Sequence, residues 1–361
     1  MMCKDVESIR KYAYVSESEK KVLESIKKPI VLLKKKASCS IPHQVAPDNN
    51  SLGFMLPYTP IHYLLFEDDS LDVLIMTSAN ISDNPVIYDN DEALSKLDGI
   101  ADWFLIHNRD INTRCDDSVV RVVDNREYFI RRSRGYAPFP IKFENEMAPI
   151  LACGAEQKAS FCISKDRYVF LSQHIGDLKN YDTLLHYESQ IENFKRLFKV
   201  QPEIVACDLH PDYLSTAYAE KLDNVKKVYV QHHHAHMASC MADNNLDGDV
   251  IGLIWDGTGL GYDGTSWGGE VLTGGFKSFI RAGSFLKTRM PGGDKAVDDI
   301  YKMAFSYLVT TYGSDYYRYL DLLPDIAYGD DKILFRMIEG GVNSPYTSSC
   351  GRLFDGVSSL L

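Results

Sequence analysis

Twice in its second part the chain runs through the same succession: an apolar strand, a turn carrying glycine and an acid, then further strands. The first copy is APILACGAEQKASFCISKDRYVFLSQ and the second, from residue 248, is GDVIGLIWDGTGLGYDGTSWGGEVLTGGFKSF. Each is followed by a stretch with apolar residues at three- and four-residue spacing, TLLHYESQIENFKRLFKV and DDIYKMAFSYLVTTY, the signature of amphipathic helices. Few architectures accept this order. It implies a duplicated α/β domain with a ligand held between the halves, facing the turns.

Residues 1 to about 145 also alternate strand-like and helix-like pieces. PIVLLKK reads as a short strand, SLGFMLPYTPIHYLLF as a turn entering an apolar helix, and LDVLIMTSAN as a buried strand running into a polar turn. SVVRVVDNREYFIRRS reads as a hairpin turning at Asp124-Asn125. The segment YAPFPIKFENEMAP, rich in proline and aromatics and without periodicity, is expected to be a linker closing the first domain. The expected domains are therefore 1–146 and 147–361.

Composition excludes several classes. No apolar run reaches the roughly 18 residues of a membrane span. A formal net charge of -11 fits poorly with a nucleic-acid binder, which needs a concentrated basic surface. The opening MMCKDVESIRKY is charged from Lys4 onward and lacks a leader pattern, so a cytoplasmic setting is expected. Eight scattered cysteines contain no CxxC pair, which argues against a zinc ribbon or a disulfide framework.

Four polar constellations stand out. QHHHAHMASC places His232 and His236 at i and i+4, on one face of a helix that starts after KKVYV. That spacing suits a chelated metal, with a surface or capping cluster as the alternative. Asp256 ends an apolar strand, where a carboxylate needs a metal or a hydrogen-bond partner, and leads the run Gly257-Thr258-Gly259-Leu260-Gly261. Those glycines suit a backbone nest for phosphate, or simply a glycine-rich hairpin. TSANISDNP offers Ser78 and Asn80 to phosphate oxygens or to an ordinary Asx turn, while RCDDSVVR and RRSRGY add Ser118 and three arginines, Arg131 among them. Asp208 and His210 could support a site or only a turn, and Lys158 and Glu156 could meet an anion or pair with each other.

Taken in order, these motifs resemble the HypF family of hydrogenase-maturation carbamoyltransferases. TSANISDNP, HNRDINTRCDDSVVRVV and FIRRSRGYAP resemble its YrdC-like domain. ACGAEQKASFCIS, LSQHIGDLKN, DLHPDYLST, VQHHHAHMASCMA, IWDGTGLGYDGTSWGGE, MPGGDKA and SSCGRLFDGVSSLL resemble its Kae-like (TsaD-like) domain. The resemblance spans nearly the whole chain and implies an ASKHA-type fold for the second domain. It implies that the first domain turns ATP and carbamoyl phosphate-derived carbamate into carbamoyl adenylate. The second would pass the carbamoyl group to the C-terminal cysteine of the partner HypE. On this resemblance, His232, His236 and Asp256 hold a divalent metal, zinc or iron. Gly257, Thr258, Gly259 and Gly261, with Lys158, meet nucleotide phosphates, and Ser78, Asn80, Ser118 and Arg131 contact ATP. No cysteine of this chain is needed as nucleophile.

The family's acylphosphatase and Cys-rich zinc-finger regions have no counterpart here, the chain opens partway through the YrdC-like pattern, and MPGGDKAVDDIYKMA lacks the usual Arg-Glu-Pro-Trp-Arg. It also stops soon after GRLFDGVSSLL, where the family continues to a Gly-rich segment with a further metal-binding Asp. The expectation is an internal portion of a longer family member. A small-molecule O-carbamoyltransferase, a tRNA threonylcarbamoylation enzyme and a binding remnant without turnover are the alternatives.

Overall fold

The computed structural model of the chain describes residues 1–361 apart from 69, 82, 83, 327 and 328. It forms two compact units, Met1–Val205 with Leu222–Lys226, and Ala206–Lys221 with Lys227–Leu361. The segment expected to link two domains near residue 146 is regular structure. Pro140–Met147 is an eight-residue strand, antiparallel to Cys162–Leu171 from Pro140↔Phe170 to Met147↔Asp166. The expected linker is thus a strand. Its proline opens the strand, where no ladder N–H is required, and its partner is too far along the sequence for local patterning to reveal.

In the first unit, Ile30–Lys34 is the centre of a four-stranded sheet, antiparallel to Ser51–Phe54 and parallel to Val119–Val123. Alternation sends Val31 and Leu33 into a core with Leu52, Phe54 and Val120. Val6–Tyr12 and Glu17–Glu24 add Ile9 and Leu23 to it. Ser16 and Glu19 form a reciprocal capping box on the second of these helices. The predicted hairpin forms between Val119–Val123 and Arg126–Arg131, with Asp124 (φ 49°) and Asn125 (φ 60°) both left-handed as a primed turn requires. The strand expected in LDVLIMTSAN shrinks to Val73–Leu74, paired with Met2–Cys3, and Ile75 points into solvent. The apolar helix is Pro60–Leu65, with Ile61, Tyr63, Leu64 and Leu65 exposed. Further along, Ile150–Ala152 pairs with Cys162–Leu171, and the helix Tyr181–Phe198 packs Tyr187 and Phe194 edge-on against Phe161.

The second unit is built on an antiparallel sheet of Val250–Leu260, Ser266–Gly274 and Phe279–Ser284. The helix His232–Asp243 lies on one face, where Met237, Met241 and Leu272 are buried with Val250, Ile254 and Phe279 around them. Tyr301–Tyr312 and Asp330–Gly340 share a second core of Phe305, Leu308, Tyr316, Leu334 and Ile338. Each copy of the repeated pattern therefore yields an antiparallel pair of strands. Among the described residues no helix is long and apolar enough to cross a membrane.

Candidate metal centre and nucleotide cavity

Gln231 starts the histidine helix: its side-chain oxygen accepts the N–H groups of His233 and His234, two donors the first turn cannot otherwise satisfy. The helix then places His232 and His236 one turn apart, with their Nε2 atoms 3.2 Å from each other. Opposite them, the sheet register shifts between Trp255 and Gly259, a bulge of the kind that re-aims a side chain. Asp256 sits in that bulge, with Oδ2 3.2 Å from His232 Nε2 and 3.8 Å from His236 Nε2. One ligand atom from each of the three residues lies within 4.8 Å of the others.

The donor set fits a divalent cation on two observations. Asp256 Oδ2 is buried and completes no hydrogen bond with a described residue, a costly state for a carboxylate oxygen. The 3.2 Å separation of the imidazole nitrogens is close to the ~3.3 Å edge of a tetrahedron with N bonds of 2.0–2.1 Å. Asp208, buried at the end of the strand Ile204–Asp208, orients the first ligand: its Oδ2 accepts from His232 Nδ1–H at 2.7 Å, which leaves Nε2 free to coordinate. Burial works against the imidazolium of His232, but Asp208 and Asp256 together outweigh it and raise the pKa to about 9. Burial would also raise the Asp256 carboxyl, yet His232, His233 and the charge of His236 hold it well below the usual carboxylate range. His236 shifts downward, through burial first and the positive charge of His232 next.

His233 is fully buried with Nε2 3.5 Å from the same Asp256 oxygen. The Gln231 amide oxygen is taken up by backbone N–H groups, so its NH2 faces His233 Nδ1 at 3.0 Å. The proton of His233 therefore sits on Nε2, aimed at Asp256, which makes this residue a positioner of that carboxylate. His234 turns away and donates to Gly275 O at 2.8 Å. No sequence signal separated these two neighbours. Ser349, also unforeseen, caps the helix Cys350–Ser358 and donates to Gly257 O at 2.6 Å, fixing the backbone beside Asp256.

The glycine run differs from the expected nest. Gly257 and Gly259 lie within the strand Val250–Leu260, and neither they nor Gly261 has a left-handed φ. Close approach explains two of them. A Cβ on Gly259 would stand 2.6 Å from His233 Cε1 and 2.9 Å from His232 Cβ, and one on Gly261 would meet the Trp267 ring. Gly257 has open space, and Thr258 Oγ1 pairs with Ser266 Oγ at 2.9 Å.

In the first unit, Ser78, Asn80 and Arg131 line one cavity of about 240 Å³ with Arg114, Asp116 and His174. Ser78 donates to the Asn80 side chain, whose NH2 donates to Ile81 O and Asn84 O, so these residues hold a shaped polar wall. Ser82 and Asp83 of the same motif lie outside the described residues. Ser118 is not part of this wall: it is buried, donating to Arg134 O and accepting from Ser133 N–H. Lys158 lines a different cavity, together with Arg131.

Comparison with known proteins agrees with the motif order. A family model described as "Telomere recombination", of YrdC type, matches residues 1–133. The "HypF Kae1-like domain" matches 145–243, and "Carbamoyltransferase, Kae1-like Domain, second subdomain" matches 252–361. A carbamoyltransferase HypF from Rhizobium leguminosarum bv. viciae is 39% identical over all of this chain and 47% of its own length. A probable carbamoyltransferase HypF from Methanocaldococcus jannaschii is also 39% identical, over 99% of the chain and 47% of the relative. The crystal structure of full-length HypF in the phosphate- and nucleotide-bound form superposes with a TM-score of 0.92 at 46% identity, covering 99% of this chain and 47% of that one. The HypF structure from T. kodakarensis gives 0.89 at 38% identity, over 100% and 49%. The fold and site thus define a YrdC-like domain joined to a Kae1-like domain, the pairing carried by named carbamoyltransferases. Within that class, the chain belongs to the HypF family. It spans about half the length of the curated relatives it matches.

Proposed function

We propose that this chain is the carbamoyl-activating and carbamoyl-transferring portion of a HypF enzyme acting in [NiFe]-hydrogenase maturation. ATP and carbamate derived from carbamoyl phosphate would meet at the cavity walled by Ser78, Asn80 and Arg131. A carbamate oxygen attacks the α-phosphorus, pyrophosphate leaves, and carbamoyl adenylate remains. The thiolate of the HypE C-terminal cysteine then attacks the carbamoyl carbon and AMP departs, leaving a thiocarbamate. Polar side chains here bind and orient, which is where much of the rate gain in such transfers originates. The boundary between the two domain types is placed at 146/147, and the second is read as ASKHA-type.

The observation that carries the reading is the His232, His236 and Asp256 triad, with Asp208 setting the orientation of His232. These three would hold a divalent cation, zinc or iron, which supplies positive charge to phosphate oxygens when bound. His233 would keep Asp256 in place, while Gly257 and Thr258 offer backbone and hydroxyl groups beside the triad. The acceptor brings its own nucleophile, so no thiol of this chain is required. The expected setting is the cytoplasm, with HypE as partner and neither nucleic acid nor a membrane involved.

The test incubates the chain with HypE, ATP, carbamoyl phosphate and zinc or iron(II), beside full-length HypF. Mass spectrometry of the HypE C-terminal peptide should show one added carbamoyl group, absent for His232→Ala and Asp256→Asn. Modification by full-length HypF but none by this chain would refute the reading for these 361 residues.

A further inference from the structure

We infer that Glu270 and Arg281 form a buried device that aims Asp256 into the metal centre. They are positioning residues, acting on that ligand through Ser348, Ser349, Trp267 and His233. The inference rests on the reading of His232, His236 and Asp256 as a metal site; the device itself stands on the geometry of the second unit.

The bulge that carries Asp256 needs support from outside the ladder. Trp255 pairs with Gly269 and Gly259 with Trp267, so Asp256, Gly257 and Thr258 lie opposite Gly268 alone. Interrupted pairing leaves backbone donors that must find other acceptors. Glu270, fully buried, supplies one: its Oε1 accepts the N–H of Gly268 at 3.2 Å and that of Gly269 at 3.4 Å. Its Oε2 accepts from Arg281 Nε at 2.6 Å. Burial would raise this carboxyl, but Arg281, Ser348 and the Gly268 N–H outweigh it and hold the pKa below its ordinary value.

Two arms lead from this pair to Asp256. In the first, Glu270 Oε1 also accepts from Ser348 Oγ at 2.5 Å, and Arg281 Nη2 donates to the same hydroxyl at 3.4 Å. The next residue, Ser349, donates to Gly257 O at 2.6 Å, with Asp256 O 3.2 Å away. A Cβ on Gly268 would stand 2.6 Å from Asp256 O and 3.0 Å from Ser349 Cα, so three backbones meet where the bulge opens. This arm fixes the main chain of the ligand.

The second arm fixes its side chain. The Arg281 guanidinium lies 4.0 Å from the centroid of the Trp267 ring, whose N–H donates to Asp263 Oδ1 at 2.9 Å. Trp267 is buried, with its centroid 6.1 Å from that of His233, and His233 Nε2 faces Asp256 Oδ2. A buried ion pair adds little net stability over apolar residues of the same volume. What this one supplies is placement, because both arms end on the same carboxylate residue.

The test is cobalt(II) titration of the metal-free chain, followed in the visible, where band position and intensity report the arrangement of the donor atoms. Glu270→Gln offers one acceptor oxygen to donors that the carboxylate serves with two, and Ser348→Ala cuts the first arm by a smaller change. Each is expected to weaken cobalt binding about tenfold or more and to shift the visible bands. Ile338→Val, in the separate helical core of the same unit, calibrates a loss of stability that should leave affinity and bands alone. Should Glu270→Gln fail to fold, Ser348→Ala decides. Wild-type affinity and bands in Ser348→Ala, or an equal loss in Ile338→Val, would overturn the inference and leave the metal reading standing. A wild-type chain that takes up no cobalt, or whose uptake survives both His232→Ala and Asp256→Asn, would overturn the metal reading and this one with it.

Discussion

His232 meets a carboxylate at each ring nitrogen, Asp208 at Nδ1 and Asp256 at Nε2. The first contact decides which nitrogen faces the ligand site, so Asp208→Asn, which keeps the shape and removes the charge, should lower zinc affinity about 10- to 100-fold while the fold survives. Competition with a chromogenic chelator measures this, and an unchanged affinity would show that Asp208 does not orient the ligand. A second residue governs acid behaviour. Burial, reinforced by the positive charge of Arg114, depresses the His186 pKa from 6.5 to about 4. Between those values the unfolded chain binds a proton that the folded one refuses. Its contribution is therefore whole above pH 6.5 and is lost as pH falls toward 4. His186→Gln should flatten the fall in Tm across that window; an identical slope in the variant would assign the acid sensitivity to other groups.

Among elements, the hairpin Val119–Val123 to Arg126–Arg131 offers the cleanest test of local coding. Asn125 at φ 60° can become glycine without strain, so Asn125→Gly should leave stability unchanged or raise it, whereas Asn125→Val should cost about 1–2 kcal/mol in urea denaturation. That turn and the start of the histidine helix were legible because each is decided within four residues. The strand Pro140–Met147 was not, since only its pairing with Cys162–Leu171 makes it a strand. The same limit separates the site residues. The i, i+4 pair was readable from spacing, but the roles of Asp208 and His233 arise from segments that meet only in three dimensions. Ser118 shows the converse: an apparent ligand hydroxyl whose bonds go to Arg134 and Ser133.

At the scale of the molecule, the proposed cation would join a helix to a sheet inside one compact unit, since His232 and His236 lie on His232–Asp243 and Asp256 on Val250–Leu260. A ligand bound only by the folded state adds about 2.7 kcal/mol at a hundredfold excess over its Kd. Saturating zinc should thus raise the Tm of wild type and leave that of Asp256→Asn nearly unmoved; an equal rise in both would place the ion elsewhere. The two kinds of ligand also differ in when they become available. His232 and His236 need only a single helical turn to chelate, whereas Asp256 must await the bulged strand. An ion captured early by the histidine pair would supply the costly first turn of that helix. In refolding, the metal would then act as a template on which the segment winds before the sheet assembles, rather than as the last part to be fitted.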